Sequence, residues 1–201
     1  IAKSLFNQNK YLECIDICNQ ILANNIQSID AIKLIAKSFL ASRKIENALL
    51  YFNKAIKMNP DDYESMKDLG NIYQAIGDIH NAKNYYQQAL TINSSYAPAL
   101  TNLGVMQLNA LNKKDALYLL IKATESDPKL ALAWGNLGNG YFQLGKIKKA
   151  ETAFNKAIEL NPNLFSAHFF LGTILLGQKK LQEAEEALRK TIQLKPDFFQ
   201  A

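Results

Sequence analysis

The sequence predicts an all-α fold, a right-handed α-solenoid superhelix of stacked antiparallel helix pairs, from three observations. Pro60, Pro128, Pro162 and Pro196 fall 68, 34 and 34 residues apart, with Ser94 in the skipped slot. Written in 34-residue lines, the chain aligns a column of small residues: Ala2, Ala36, Gly70, Gly104, Gly138 and Gly172. Each line also holds two apolar stretches of about 14 residues with the 3.6-residue period of a helix. No line can bury both faces alone, so neighbouring lines must stack into one continuous core.

The lines run in order along a single array over 1–201. Residues 1–28 form a truncated line with Cys14 and Cys18 in its core columns. The line 29–62 places Ile32, Ile35, Ala36, Ala48, Phe52 and Ala55 in register and ends its second stretch at Asn59-Pro60, since proline cannot continue a helix interior. In 63–96 the same columns read Met66, Leu69, Gly70, Ala82, Tyr86 and Ala89, with the break between stretches at Gly77-Asp78. Glycine suits such a break because it adopts the backbone angles of a tight helix–helix turn. The line 97–130 carries Leu100, Leu103, Gly104, Ala116, Leu120 and Ala123. In 131–164 helices are expected over 131–144 and 147–160, separated at Gly145-Lys146 and ended by Asn161-Pro162. The line 165–198 holds His168, Leu171, Gly172, Ala184, Leu188 and Thr191, and residues 199–201 begin a further repeat or a capping helix.

The line 131–164 reads Trp134-x2-Leu137-Gly138-x2-Tyr141, then Ala150-x3-Phe154, then Ala157 and Pro162. This pattern resembles the tetratricopeptide repeat at its 34-residue period, and the resemblance covers the whole chain. In the other lines the Trp position drifts to Ile32, Met66, Leu100 and His168 while the small columns survive. The resemblance implies a non-catalytic scaffold that binds proteins or extended peptides in a concave groove lined by the first helix (helix A) of each pair. A second role it allows is the substrate-recognition arm of a larger enzyme with a C-terminal transferase domain, glycosyl or sulfuryl.

Composition narrows the classes further. With 48% hydrophobic and 20% charged residues the chain can bury a core. No apolar run reaches the length of a membrane span. The net charge of +5 is mildly basic, and Arg43 and Arg189 are the only arginines, so specific nucleic-acid recognition has little to work with. Two cysteines four residues apart in core columns read as buried, reduced thiols, which suits a cytoplasmic location. The opening Ile1-Ala2-Lys3 has neither an initiator Met nor a signal peptide's charged and apolar regions, and reads as the start of an excised segment.

No constellation for catalysis, metal or cofactor binding is expected. His80 and His168 are 88 residues apart in non-equivalent columns, and His168 reads as a packing residue in the Trp column. Gly138-x-Gly140 lacks the third glycine of a dinucleotide loop, with Gln143 in its place. The helix A to helix B turns carry Arg43, Lys44, Lys113, Lys114, Lys146, Lys148, Lys149, Lys179 and Lys180, a broken basic ridge along one edge.

The expected binding groove comprises Lys67, Asn71, Asn102, Asn136, Asn139, Phe142, Phe169 and Phe170, with Leu108 and Leu176 adding apolar surface. Some members of the family clamp a C-terminal carboxylate with five such residues. Lys67, Asn71 and Asn102 match the first three positions, and the last two fall on Leu132 and Asn136, which removes two cations. Asn102 and Asn136 also resemble the asparagine ladder of protein O-linked N-acetylglucosamine transferases, whose amides bond a peptide backbone. The groove is therefore expected to take an extended segment with a carboxylate end and an apolar end.

Overall fold

A computed structural model describes residues 1–24 and 27–198. Within them the chain forms helices in A–B pairs: α1 (Ala2–Asn7) with α2 (Tyr11–Ala23), α3 (Ile29–Ala41) with α4 (Ile45–Met58), and α5 (Tyr63–Ala75) with α6 (Ile79–Ile92). The series continues with α7 (Ala97–Asn109) and α8 (Lys113–Ser126), α9 (Ala131–Gln143) and α10 (Ile147–Leu160), and α11 (Phe165–Gly177) and α12 (Leu181–Leu194). Every full line of the sequence begins on the first residue of an A helix. The expected start of a further repeat at 199–201 lies outside the described residues.

Each A–B turn has one backbone requirement, repeated at the sequence period. Asn9, Arg43, Gly77, Leu111, Gly145 and Lys179 all have positive φ, between 58° and 84°. At each, the following amide reaches back to a carbonyl five residues earlier, as Asp78 N–H does to Tyr73 at 2.9 Å and Lys180 N–H to Leu175 at 3.0 Å. This is the closure that ends a helix in a left-handed residue. Glycine fills two of these turns, as its freedom predicts; the other four accept a side chain in the same strained geometry. The B helices end differently. Asn59, Asp127 and Asn161 take extended backbone angles, and their side-chain oxygens accept from the amide two residues on. That bond, with the proline between, turns the chain out of the helix.

The chain divides into two compact units, 1–94 and 95–201. In unit 1, one core cluster gathers Cys14, Ile15, Cys18, Ala31 and Ile35, and another Ala36, Ala48, Phe52, Leu69 and Ile72. In unit 2 the clusters are Leu108, Ala116, Leu117, Leu120 and Leu137, then Ala150, Phe154, Ala157, Ala167 and Ile174.

The small column has a direct steric cause. A Cβ built on Gly70 would lie 2.5 Å from the Tyr86 ring, one on Gly104 2.8 Å from Leu120, and one on Gly138 2.7 Å from Phe154. In the four pairs with glycine in this column, the large residue of the B helix therefore rests on the bare backbone of its A helix, and apolar area is buried in close contact. A Cβ on Gly104 or Gly172 would also come within 3.4 Å of the carbonyl oxygen of Ala116 or Ala184, in the small column of the B helix.

Unit 2 curves with its A helices inside. α9 lies against both α7 and α11, whereas clefts open between successive B helices. One of about 980 Å³ runs between α10 and α12 over His168 and Leu171. Another of about 470 Å³ runs between α8 and α10 over Trp134 and Leu137.

Candidate functional site on the A helices

In unit 1 the A-helix face is charged and internally paired. The Lys33 ammonium lies 2.9 Å from both Asp62 and Glu64. Asp62 also caps α5, accepting from the Ser65 amide at 3.3 Å and the Ser65 hydroxyl at 2.6 Å. Burial pushes the Asp62 carboxyl up, but the bonds from Ser65 and Lys33 outweigh it and hold the group below the usual carboxylate range. Glu64 is held low chiefly by its bond from Lys33. Lys33 is pulled down by burial and raised further by its two carboxylates, with a net upward shift.

The two unit 1 residues of the expected groove are also engaged. Lys67 pairs with Asp68, which Lys37 approaches to 4.0 Å from the other side. The Tyr86 hydroxyl, buried under Gly70, lies 2.8 Å from the amide oxygens of Asn71 and Gln74, where it donates. A partner's carboxylate arriving at Lys67 would meet the Asp68 carboxylate beside it, so the expected carboxylate-binding end loses its free cation.

In unit 2 the residues expected to line the groove lie on the A helices. Asn102 of α7, Asn136 of α9 and Phe170 of α11 occupy one column, the sixth residue of each helix, and all are half-buried. Asn139, one turn along α9, accepts weakly from Gln143 at 3.4 Å. The Phe170 ring stacks on Phe154 of the core at 5.3 Å and touches Phe142 at 5.5 Å and Phe169 at 5.3 Å. Aromatic pairs at such separations stabilise beyond their buried area.

Of the expected apolar residues, one lies in the core and another is partly covered. Leu108 is 2% exposed and belongs to the core. It shares a column with the half-buried Phe142 and packs with Leu117 and Leu120. Phe169 is covered in part by the chain itself, since the Phe198 ring meets it edge-on at 4.9 Å. The geometry repeats one found 34 residues earlier, where Leu164 approaches Gly135. Phe198 continues the column of Leu130 and Leu164, and that signal was present in the sequence. Leu176 remains 47% exposed.

The remaining candidates resolve into packing. His168 Nε2 donates to the Pro162 carbonyl at 2.9 Å, as Trp134 Nε1 does to Pro128 at 3.0 Å, so the histidine reproduces the tryptophan's bond. Cys14 and Cys18 are free thiols with no exposure. Burial, reinforced by Cys14, pushes the Cys18 thiol up to about 11 and keeps it protonated. Among the described residues no group of three His, Cys, Asp or Glu is placed to hold a metal, and no helix is long and apolar enough to cross a membrane. On the basic edge, Lys113 donates to the Gln143 carbonyl at the end of α9, at 3.0 Å, and Lys149 lies over the Tyr141 ring.

Helix pairs repeated at a 34-residue period, with glycine under a large residue and an inner face of amides and rings, define a helical-repeat interaction protein. Models of the tetratricopeptide repeat match residues 131–164, 63–96 and 165–198, and 33–73. The chain belongs to the tetratricopeptide repeat family. Among solved structures it is similar to MamA of Desulfovibrio magneticus RS-1, at 23% identity and a TM-score of 0.65 over 85% of this chain and 97% of that one. A chain of the APC/C hetero-tetramer Cut9-Hcn1 aligns at 21% identity with a TM-score of 0.85, over 97% of this chain and 39% of that one. YrrB, described as a TPR protein with an unusual peptide-binding site, aligns at 21% identity and a TM-score of 0.63, over 91% of this chain and 94% of that one. These likenesses establish the fold. No curated protein sequence matches the chain significantly.

Proposed function

We propose that the chain is a non-catalytic scaffold that binds an extended segment of a partner protein across the A helices of unit 2. Asn102, Asn136 and Asn139 supply amides to the segment's backbone, and Phe142, Phe169 and Phe170 supply apolar area; Lys67 and Asn71 belong to the internally paired patch of unit 1. The observation that carries this reading is the Phe142–Phe170 ring pair, 5.5 Å between centroids, with Asn139 one turn before Phe142 on α9 and Asn136 in the column of Phe170. An amide offers both donor and acceptor, which matches a peptide backbone whatever its side chains. Clustered half-buried aromatics are the usual centre of binding energy. The peptide-binding site described for YrrB, a protein of similar fold, is consistent with this use of the repeat. A cytoplasmic location suits the buried thiols.

The test uses a peptide selected on the whole chain from a random displayed library. Asn136→Ala combined with Asn139→Ala should weaken it about tenfold, a loss of about 1.4 kcal/mol, with unchanged circular dichroism. Phe142→Ala should act separately and in the same direction. Lys156→Ala on α10 should leave affinity as it was. Affinity that survives both face variants places recognition elsewhere.

A further inference from the structure

The A helices of unit 2 read APALTNLGVMQLN, ALAWGNLGNGYFQ and FSAHFFLGTILLG, without one Asp, Glu, Lys or Arg. Charge is not missing from the unit. Its B helices carry it in quantity, as in KKDALYLLIKATES and LQEAEEALRKTIQL. Nor is it missing from A helices as such, since α3 holds Asp30, Lys33 and Lys37, and α5 holds Glu64, Lys67 and Asp68. The exclusion is specific to one face of one unit. It is sharpest in two adjacent columns: Asn102, Asn136 and Phe170 in the first, Val105, Asn139 and Thr173 in the second, all half-buried. In unit 1 the same columns contain Lys37 and Asp68, 4.0 Å apart.

Resting on the binding face proposed above, we infer that this wall selects a partner segment without charged side chains. An ionised group pressed onto it would lose water and find no opposite charge, a cost that rejects such a segment outright. A neutral segment meets no such penalty: its backbone bonds to the amides, and its aliphatic or aromatic side chains lie on Phe142 and Phe170. The chain's own residues illustrate the fit. Phe198, outside the unit's helices, seats its ring edge-on to Phe165 and Phe169 of α11. Lys195 marks the competing possibility, with its ammonium 4.7 Å over the Phe165 ring at the rim. The wall proper offers a cation no carboxylate, so the neutral ligand is favoured there.

Recognition of this kind is independent of ionic strength. Panning a random peptide library on the whole chain should enrich sequences depleted in Asp, Glu, Lys and Arg. Their affinity should change less than about twofold up to about 0.5 M salt, where screening leaves little of any charge attraction. Asn139→Asp should weaken a selected neutral peptide about tenfold and recover binding when one residue of that peptide is replaced by Lys. Enrichment of acidic or basic peptides that lose affinity in salt, yet still depend on Asn136 and Phe142, would overturn the neutral selection and leave the face in place. Peptides indifferent to Asn136→Ala and Phe142→Ala would overturn the face itself. A self-associating chain that Phe170→Asp returns to monomer in sedimentation would assign the wall to a second copy, and so would also overturn the inference.

Discussion

Unit 1 and unit 2 are built on one repeat, and the chemistry of their A-helix faces differs. Beneath the surface they are alike: Gly70 lies under Tyr86 as Gly138 lies under Phe154, each too close for a Cβ. On the surface, unit 1 sets Lys33 between Asp62 and Glu64 and Lys67 beside Asp68, while unit 2 sets amides beside phenyl rings and no ionised group. The packing columns are held by volume, and at Gly70, Gly104, Gly138 and Gly172 an added Cβ would clash. The face columns have no such constraint. A repeat of this kind writes its fold in the columns that agree between lines and its recognition chemistry in those that disagree.

The largest effects should come from the columns that agree. Gly70→Ala should destabilise by about 3 kcal/mol and Gly104→Ala by about 1 kcal/mol in denaturant melts. The Tyr86 ring is pinned at its hydroxyl by Asn71 and Gln74, whereas the Leu120 side chain is aliphatic and has no hydrogen bond to hold it. Equal losses would show that the two units yield in the same way.

Next comes the ionic contrast. Asp62→Asn should cost about 2 kcal/mol at neutral pH, from a weakened cap and one arm of a half-buried ion pair. The Asp62 and Glu64 pKa values are lower in the folded chain than in the unfolded one. Their stabilisation is therefore present above the ordinary carboxylate range and lost as pH falls through the depressed values. Lys33, shifted upward, keeps its contribution at neutral pH and loses it only as pH rises through its raised value. Melts at neutral pH and near pH 3 should show the Asp62→Asn deficit shrinking on acidification. A deficit independent of pH would mean that the carboxylate's charge contributes nothing.

Smaller effects should appear at the turns. Lys146 occupies the N-cap position of α10 without a side-chain bond, at φ −82° and ψ 61°, close to the φ −81° and ψ 78° at which Asp78 caps α6 by accepting from the Asn81 amide. Lys146→Asp should therefore gain about 1 kcal/mol from a new cap and a better charge at the helix start. Leu111→Gly, relieving a left-handed residue that is 78% exposed, should gain about 0.5 kcal/mol. Thermal midpoints of both single variants check the order.

Most of the fold was legible in the sequence because each constraint recurs at a fixed spacing. The helices expected at 131–144 and 147–160 are observed at Ala131–Gln143 and Ile147–Leu160, and His168 fills the tryptophan slot with the tryptophan's own bond. The site was legible as a set of columns and not as a set of contacts. Lys33 finds its partners 29 and 31 residues away, and Tyr86 reaches Asn71 and Gln74 across a helix pair. Such pairings depend on rotamers and reach, which a column does not encode. The same holds for Leu108, whose column also contains the half-buried Phe142 and the exposed Leu176, so that column position alone does not set burial. The absence of charge from α7, α9 and α11 was readable line by line, yet it gains meaning only once those three helices are seen to share a face.

The most direct measurement is amide hydrogen exchange of the whole chain, with and without a peptide selected on it. If the uncharged face of unit 2 is the recognition surface, added protection falls on α7, α9 and α11 and disappears in the Asn136→Ala, Phe142→Ala variant. Protection on α3 and α5, or along the clefts between α8, α10 and α12, would contradict it.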